Sequence, residues 1–420
     1  MLKRFLHDKR TLKKCHIYQT LRRYACKRHI SFHTPGHKIG AWDLTELSFS
    51  DNLASPSGCI AKAEQDLADI LHAHSAFILT DGSTSGVFSM LFTAKSTGVK
   101  RVAIPLSAHK SVTNACSVLG LEMVAFSSVE RIPGVLKQAD ALLLTSPNYY
   151  GEIPDLSAVK ALCNEQGKLL LIDGAHGGHL HENEKLYAGF FADLWVDGVH
   201  KSLPALTQGA VVCAKTEELG KLLRKSVGIF RTTSPSYPIM ASVEYAVKYP
   251  NNKNLEKAVF DYAKSQSRVK INDDYTKLIA SFGKNAFTVE KELEKQGVYA
   301  EFCDGDNIVF YLSPATTKKD FALLQKTLDK LFIKYPYLPV QHIPAPVFCD
   351  CKGDTEWLDL QNAIGRICAE SCGLFPPCTP LILQGERVEK EKIDLLKNAV
   401  NSFGLTDGKI CVYKVMREEK

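Results

Sequence analysis

The 420-residue sequence has no run of 18 or more apolar residues, so no segment is predicted to span a membrane. Nor does it open with the charged and apolar regions of a secretory signal, which predicts a cytoplasmic protein whose thirteen cysteines stay reduced. The G-x-G-x-x-G fingerprint of a dinucleotide-binding unit is missing, and so is the P-loop G-x-x-x-x-G-K-[ST]. There is no internal repeat and no low-complexity linker, which excludes solenoids and loosely tethered modules. Acid is scarce at the start: residues 1–30 carry ten Lys/Arg against the single Asp8. Such an arm could bind nucleic acid, serve as a transit peptide or pack as a helix. Ile17, Leu21 and Tyr24 recur at helical spacing and favour packing, with no nucleic-acid partner. Cys349, Cys351, Cys368, Cys372 and Cys378 cluster, but their C-x-C and C-x3-C spacings fit no standard zinc pattern, and no metal is expected.

What is present is an ordinary globular composition, 45% hydrophobic and 23% charged, in a chain long enough for two or three domains. Between residues 60 and 215, short apolar runs alternate with helical patterns. The strand candidates are Ala76–Thr80, Val102–Pro105, Met123–Phe126, Ala141–Ser146, Leu169–Asp173, Leu194–Val196 and Ala210–Ala214. Helix candidates between them are Ala61–Ala73, Gly86–Ser96, Lys110–Leu119 and Leu156–Gln166. Alternation of this kind predicts an α/β fold with a mainly parallel sheet covered on both faces. From about residue 240 a helix-rich, Lys-rich stretch runs to Gly297. Strands are expected at Val298–Phe302, Asn307–Leu312 and Cys411–Val415, with a helix from Lys318 to Lys334. The predicted organisation is a basic arm over 1–30, a large domain over 31–240 and a smaller C-terminal α/β domain over 241–420.

Ligands of parallel sheets collect at the carboxyl ends of the strands, and five motifs fall there. "TDGSTSG", Thr80 to Gly86, offers small hydroxyl residues and helix amides to a phosphate, although such clusters also simply cap helices. In "SAHKSVTNA", His109 opens a helix, as a cap or as a ring laid on an aromatic cofactor. "TSPNYYGEIPDL" reads as a turn at a strand end. Asp173 in "LLLIDGAHGGHL" follows four apolar residues, and a carboxylate buried there needs a cationic partner. Lys201 in "VDGVHKSLPALTQGAVV" either ends a strand in solvent or forms a Schiff base. A phosphate cradle, a stacking imidazole, a buried aspartate and a lysine at a later strand end are together what pyridoxal phosphate (PLP) requires.

On these motifs the sequence resembles the fold-type I, PLP-dependent ornithine/lysine/arginine decarboxylases. The resemblance begins at "SFHTPGHKIG" and "DLTELSFSDNLASPSG", continues through the five motifs, and ends at "RTTSPSYPIMASVE" and "FPPCTPLILQGE", covering residues 17 to 390. It implies an aspartate-aminotransferase-like large domain and a homodimer with each site at the interface. It implies that Lys201 forms the Schiff base and His200 reaches the phosphate, which Ser83, Thr84 and Ser85 also hold. His109 would stack on the ring, Asp173 would pair with its nitrogen, Ala175 would lie under the other face, and His176 would stand near the substrate. His176 replaces the Trp of the longer members, whose N-terminal wing domain has no counterpart here. Two positions depart from the family: Gly198 stands where a phosphate-binding Ser is common, and Asp81-Gly82-Ser83 replaces N-G-T. Fewer phosphate donors and an acid near the cradle are the expected consequences.

The implied reaction is decarboxylation of lysine, ornithine or arginine, with His200 and Lys201 as candidate proton carriers. Asp51 and Glu386 are candidates for the distal pocket. Another α-carbon reaction of the same fold (aldolase, transaminase or lyase) shares Lys201 and Asp173, and Arg387 imitates a transaminase carboxylate anchor. A PLP-binding paralogue with reduced catalysis is the alternative of a different class.

Overall fold

A computed structural model of the chain describes residues 7–26, 30–38, 42–340, 346–349, 353–375, 378, 380–399 and 401–414. Cys351, the end of the Gly-containing motif at Ile39 and Gly40, and Val415 at the end of the expected last strand lie outside them. The chain divides into one unit of residues 1–256 with 312–316 and a second of residues 257–311 with 317–420.

The first unit is built on a seven-stranded sheet: β1 (Ser75–Leu79), β2 (Arg101–Pro105), β3 (Glu122–Phe126), β4 (Ala141–Thr145), β5 (Leu169–Gly174), β6 (Leu194–Asp197) and β7 (Ala210–Ala214). Their spatial order is β1-β7-β6-β5-β4-β2-β3. Neighbours from β6 through β3 pair in parallel. β7 runs antiparallel to both β1 and β6, so β1 points the same way as β6. Six strands therefore end on one edge, and β7 alone opposes them.

Both faces are buried, which is why the strands read as continuous apolar runs. Successive residues of a strand alternate between two cores. Ala76 and Ile78, Leu142 and Leu144, Leu170 and Ile172, Trp195, Val211 and Cys213 enter one core. Phe77 and Leu79, Ala141 and Leu143, Leu171, Leu194 and Val196 enter the other. The first core also takes Ile17, Tyr18 and Leu21 from the helix His16–Ala25, with Tyr24 packed at its edge, so the basic arm folds on its apolar stripe. The amides of His16 and Ile17 at that helix's start donate to Glu244, at 2.6 and 2.9 Å.

Boundaries shift where caps differ from expectation. The helix expected at Gly86 begins at Gly82, so Ser83, Thr84 and Ser85 lie in its first turn rather than in a loop before it. Gly82 makes this possible with φ of +76°, a backbone conformation that favours glycine. The helix expected over Ala61–Ala73 spans Cys59–Ile70, because its capping amides turn at Leu71.

In the second unit, strands β8 (Val269–Lys270), β9 (Lys277–Ser281), β10 (Phe302–Cys303) and β11 (Asn307–Tyr311) form a sheet ordered β10-β11-β9-β8. The strand expected at Val298–Phe302 shrinks to its last residue. Gly297 takes a positive φ after the helix Ala286–Lys295, and the Val298 amide bonds back to the Leu293 carbonyl, so residue 298 belongs to the helix cap. β9 was hidden inside the Lys-rich stretch. The helix Lys318–Lys334 stands where expected, and the last strand is Lys409–Tyr413.

Candidate active site

All five motifs come together at the shared carboxyl edge of the first unit. Alternation places Asp173, two residues after Leu171, on the face that carries the helix Gly82–Ser96. Asp173 is 3% exposed, and its Oδ1 accepts from the Ala175 amide at 3.2 Å. Thr145 is its partner on β4, on the same face, and the Thr145 hydroxyl is buried with no hydrogen-bond partner.

Lys201 sits in the single turn Val199–Ser202 that follows β6. Its Nζ lies 3.4 Å from Nε2 of His176, which is itself 1% exposed and meets the Tyr149 ring edge-on at 4.8 Å. The solvent-facing alternative for Lys201 is therefore not the arrangement adopted. His109 is half-buried and does two things. It caps the helix Lys110–Leu119, its Nδ1 accepting from the Ser111 amide at 3.1 Å, and it stands within electrostatic reach of the site. Burial holds its imidazole below the usual histidine range, with Asp173 pulling up and Lys201 pushing down. Those two opposing influences put His109, Asp173 and Lys201 in one neighbourhood.

His200 points its Nδ1 at the Gly209 carbonyl, 2.9 Å away, and burial also lowers its pKa. In the neutral ring that bond makes Nδ1 the donor and leaves Nε2 as an acceptor. Ser83 is half-buried and Thr84 exposed at the start of the Gly82–Ser96 helix. Ser85 is buried, and its hydroxyl donates to the Gly82 carbonyl at 3.0 Å, so this third hydroxyl serves the helix turn. No side chain caps the amides of this helix, although Asp81 occupies the N-cap position. A helix start with uncapped amides is a ready anion site.

Asp81 itself turns away from the cradle. Its Oδ2 accepts from the Thr232 amide at 3.1 Å, beside the Arg231 guanidinium. Arg231 is buried and donates to the carbonyls of Ile78 (2.9 Å) and Leu53 (2.6 Å), with Glu64 at 3.4 Å. The expected acid in the cradle is thus spent on tying the loop to residues 231–232. Gly198 also has a structural reason. A Cβ there would lie 2.5 Å from the Ala175 carbonyl oxygen, a backbone atom that cannot step aside.

Sequence reasoning missed Asp197, which is completely buried behind β5 and bonded to Tyr187 at 2.6 Å. Its place at the end of an apolar strand, like that of Asp173, was the available signal. The two distal-pocket candidates are engaged elsewhere. Asp51 collects the amides of Asn52, Ser57, Gly58 and Ile60, which hold its carboxyl below the usual range against the pull of burial. In the second unit, Glu386 is buried against Lys392 and the Leu383 amide. Arg387 donates to the Gly365 carbonyl. Of the clustered cysteines, Cys368 and Cys372 are buried and hydrogen-bonded to each other, which raises the Cys372 thiol. One group of His, Asp and Glu among the described residues has ligand-like spacing, His16, Asp66 and Glu244. Lys248 already fills it, with Nζ 2.5 Å from Asp66 and 2.9 Å from Glu244.

Residues 127–277 match the model for the Orn/Lys/Arg decarboxylase major domain. The uncharacterized protein YaaO of Bacillus subtilis is 27% identical, over 92% of this chain and 94% of its own. Arginine decarboxylase of Bacillus subtilis is 26% identical, over 96% of this chain and 98% of its own. Among solved structures, E. coli constitutive lysine decarboxylase superposes with a TM-score of 0.73 at 17% identity, covering 96% of this chain and 82% of that one. A structure of SPT with PLP gives a TM-score of 0.57 at 14% identity, covering 79% of this chain and 85% of that one. The fold is that of the fold-type I PLP enzymes, an α/β architecture with a large, mostly parallel sheet.

Proposed function

We propose that the chain, which is similar to the Orn/Lys/Arg decarboxylases, is a PLP-dependent carboxy-lyase of that family and converts lysine, ornithine or arginine to the corresponding amine. The observation that carries the reading is the meeting of Lys201 and His176 at 3.4 Å, beside His109 and Asp173, at the carboxyl ends of adjacent strands.

The donor set fits PLP. The amides of Ser83 and Thr84 at an uncapped helix start suit its phosphate, with the Ser83 and Thr84 hydroxyls beside them. Asp173, buried on an amide bond, suits a protonated pyridine nitrogen, since a carboxylate at 3% exposure calls for a cation. Lys201 would supply the amine for the carbonyl carbon, and His109 and Ala175 would flank the ring. When bound, the cofactor supplies the electron sink for the departing carboxylate's bonding pair.

The chain's own residues do the rest. A carboxylate at residue 173 would favour a proton on the pyridine nitrogen, which a neutral residue would not do. The Lys201 amine and the His176 ring stand together where a proton must return to the substrate's α-carbon, and positioned proton transfer is worth about 10²–10⁴-fold. With its Nδ1 committed to Gly209, His200 donates to a phosphate through Nε2 only as the imidazolium. Asp81 and Gly198, the two departures that favoured a reduced paralogue, have structural roles here, and neither removes a catalytic group. The reading includes a homodimer whose interface completes the pocket.

The test is the absorbance of purified protein given PLP, followed by separate addition of lysine, ornithine and arginine with released carbon dioxide measured. A chromophore lost in Lys201→Ala, and gas from one substrate, is the expected result. A chromophore without gas would move the assignment to another α-carbon reaction. No chromophore would overturn the role of Lys201.

A further inference from the structure

Asp197 is one of the buried acids of the first unit that the proposed reaction does not use. Asp197 closes β6 with no exposed surface, and its register partner on β5 is Gly174. Alternation along β6 sends Asp197 to the face of Trp195, opposite the face that carries Asp173. It lies so close under β5 that a Cβ on Gly174 would come within 2.8 Å of Asp197 Oδ1. The next residue, Gly198, meets Ala175 just as closely. Residues 197–198 therefore pack directly against Gly174 and Ala175, the two residues that follow Asp173.

The hydrogen bonds around Asp197 run one way. Trp195 Nε1 donates to the Tyr187 hydroxyl at 3.1 Å, and that hydroxyl donates to Asp197 Oδ2 at 2.6 Å. Asp197 Oδ1 is buried and has no hydrogen-bond partner in the structure. A single hydroxyl donor does not offset the burial of a full charge. Burial raises the Asp197 pKa to about 7, against the lowering influence of Tyr187 and Trp195, and Asp173 raises it further. The titratable groups that face it are Tyr187 from the 183–190 segment, Asp173 from β5 and Cys213 from β7. Burial raises both the Tyr187 phenol and the Cys213 thiol, so both stay neutral.

We propose that Asp197 is a positioning residue of the PLP site: its carboxyl, braced by Tyr187 and Trp195, fixes the Asp173–Ala175 segment from behind and adds a second negative charge there when it loses its proton. The inference rests on the PLP reading of the same site. As a neutral acid Asp197 leaves Asp173 the one anion at the sheet end. Ionised, it makes the potential at Asp173 more negative and strengthens the hold on a pyridinium proton, so the site keeps that proton to higher pH.

Two measurements test this, the first without cofactor. Difference infrared spectra of the cofactor-free chain at about pH 6 and about pH 8 report a buried carboxylic acid by its carbonyl stretch. The expected result is a protonated-acid band at the lower pH, smaller in Asp197→Asn and displaced in Tyr187→Phe. Burial also raises the Glu64 pKa to about 7, so its band is common to both proteins; a protonated-acid band as large in Asp197→Asn as in the native chain, or no band in the native chain at about pH 6, overturns the proposal. The second is the pH titration of the PLP absorbance in the native protein and in Asp197→Asn, which keeps the shape and the acceptor for Tyr187. One titration step near neutrality is expected to vanish in the variant. Unchanged titration with PLP bound would sink the role of Asp197 alone. Failure of the native chain to bind PLP would sink the reading of the site, while the infrared result would still stand or fall by itself.

Discussion

Replacing Gly198 separates two accounts of the same position. If glycine merely lacks a hydroxyl that would help hold the phosphate, Gly198→Ser restores a donor and PLP binds more tightly. The geometry predicts the reverse. The new Cβ would stand 2.5 Å from the Ala175 carbonyl oxygen and 3.2 Å from its C and Cα, all backbone atoms of the turn that follows Asp173. Overpacking of this sort costs about 1–3 kcal/mol, and a backbone obstacle puts the cost toward the upper end. At roughly 2–4 °C per kcal/mol for a large domain, the cofactor-free chain should melt about 4–8 °C lower for a 2 kcal/mol penalty. Both Gly198→Ala and Gly198→Ser should show it, since the methylene is the offending group. PLP affinity, read by titrating the absorbance, should fall in both because Ala175 is displaced. Variants that melt within about 1 °C of the native chain, with tighter PLP binding in the serine form, would refute the steric account.

Four further outcomes follow from the same structure. Asp173→Asn removes the anion from a buried pairing worth about 3–5 kcal/mol, so PLP should still colour the protein while turnover drops about 10²–10³-fold; undiminished turnover would end the pyridinium argument. Because burial holds His200 below its ordinary pKa and a bound phosphate favours its protonated form, the native chain should gain phosphate affinity as pH falls, relative to His200→Gln; calorimetry with inorganic phosphate giving parallel pH profiles would remove His200 from the cradle. Arg231→Ala strands Glu64 and frees the Ile78 and Leu53 carbonyls, and should lower stability by about 3–5 kcal/mol in a denaturant titration. Ile17→Ala or Leu21→Ala should cost about 2–4 kcal/mol if the basic arm is part of the core, whereas an unpacked arm would make both silent.

The parallel sheet was legible because each strand is buried on both faces, which leaves runs such as Leu169–Ile172 with no polar interruption. Lys110–Leu119 was equally plain, opened by His109 and closed by Gly120 in the left-handed region. What misled was local capping. The small residues of 82–85 looked like loop, yet a positive φ at Gly82 lets the helix absorb them. Val298 looked like the start of a strand, yet its amide is used by the preceding helix cap. In the second unit the strand Lys277–Ser281 has only three apolar residues and begins on a buried lysine paired with Asp274, so its polarity concealed it.

For the site, sequence gave the chemistry of each group without its commitments. Asp51 and Glu386 read as acids available to a ligand, and Asp81 as an acid near the phosphate cradle. Each is instead consumed by backbone amides or a neighbouring cation, through contacts as distant in sequence as Asp81 to Thr232. The converse holds for Asp197. Nothing in "LWVDGVHK" distinguishes its carboxyl from that of Asp173, since both end apolar strands. Strand alternation settles the difference: Asp173 falls on the face where a long helix begins with uncapped amides, and Asp197 falls on the face where Tyr187 and Trp195 close over it. Both aspartates are buried, one on the face of the uncapped helix start and the other on the face of Tyr187 and Trp195. That division is a property of the register between β5 and β6, which pairs Gly174 with Asp197, and a slip of β6 by one residue would turn Asp197 onto the face of Asp173.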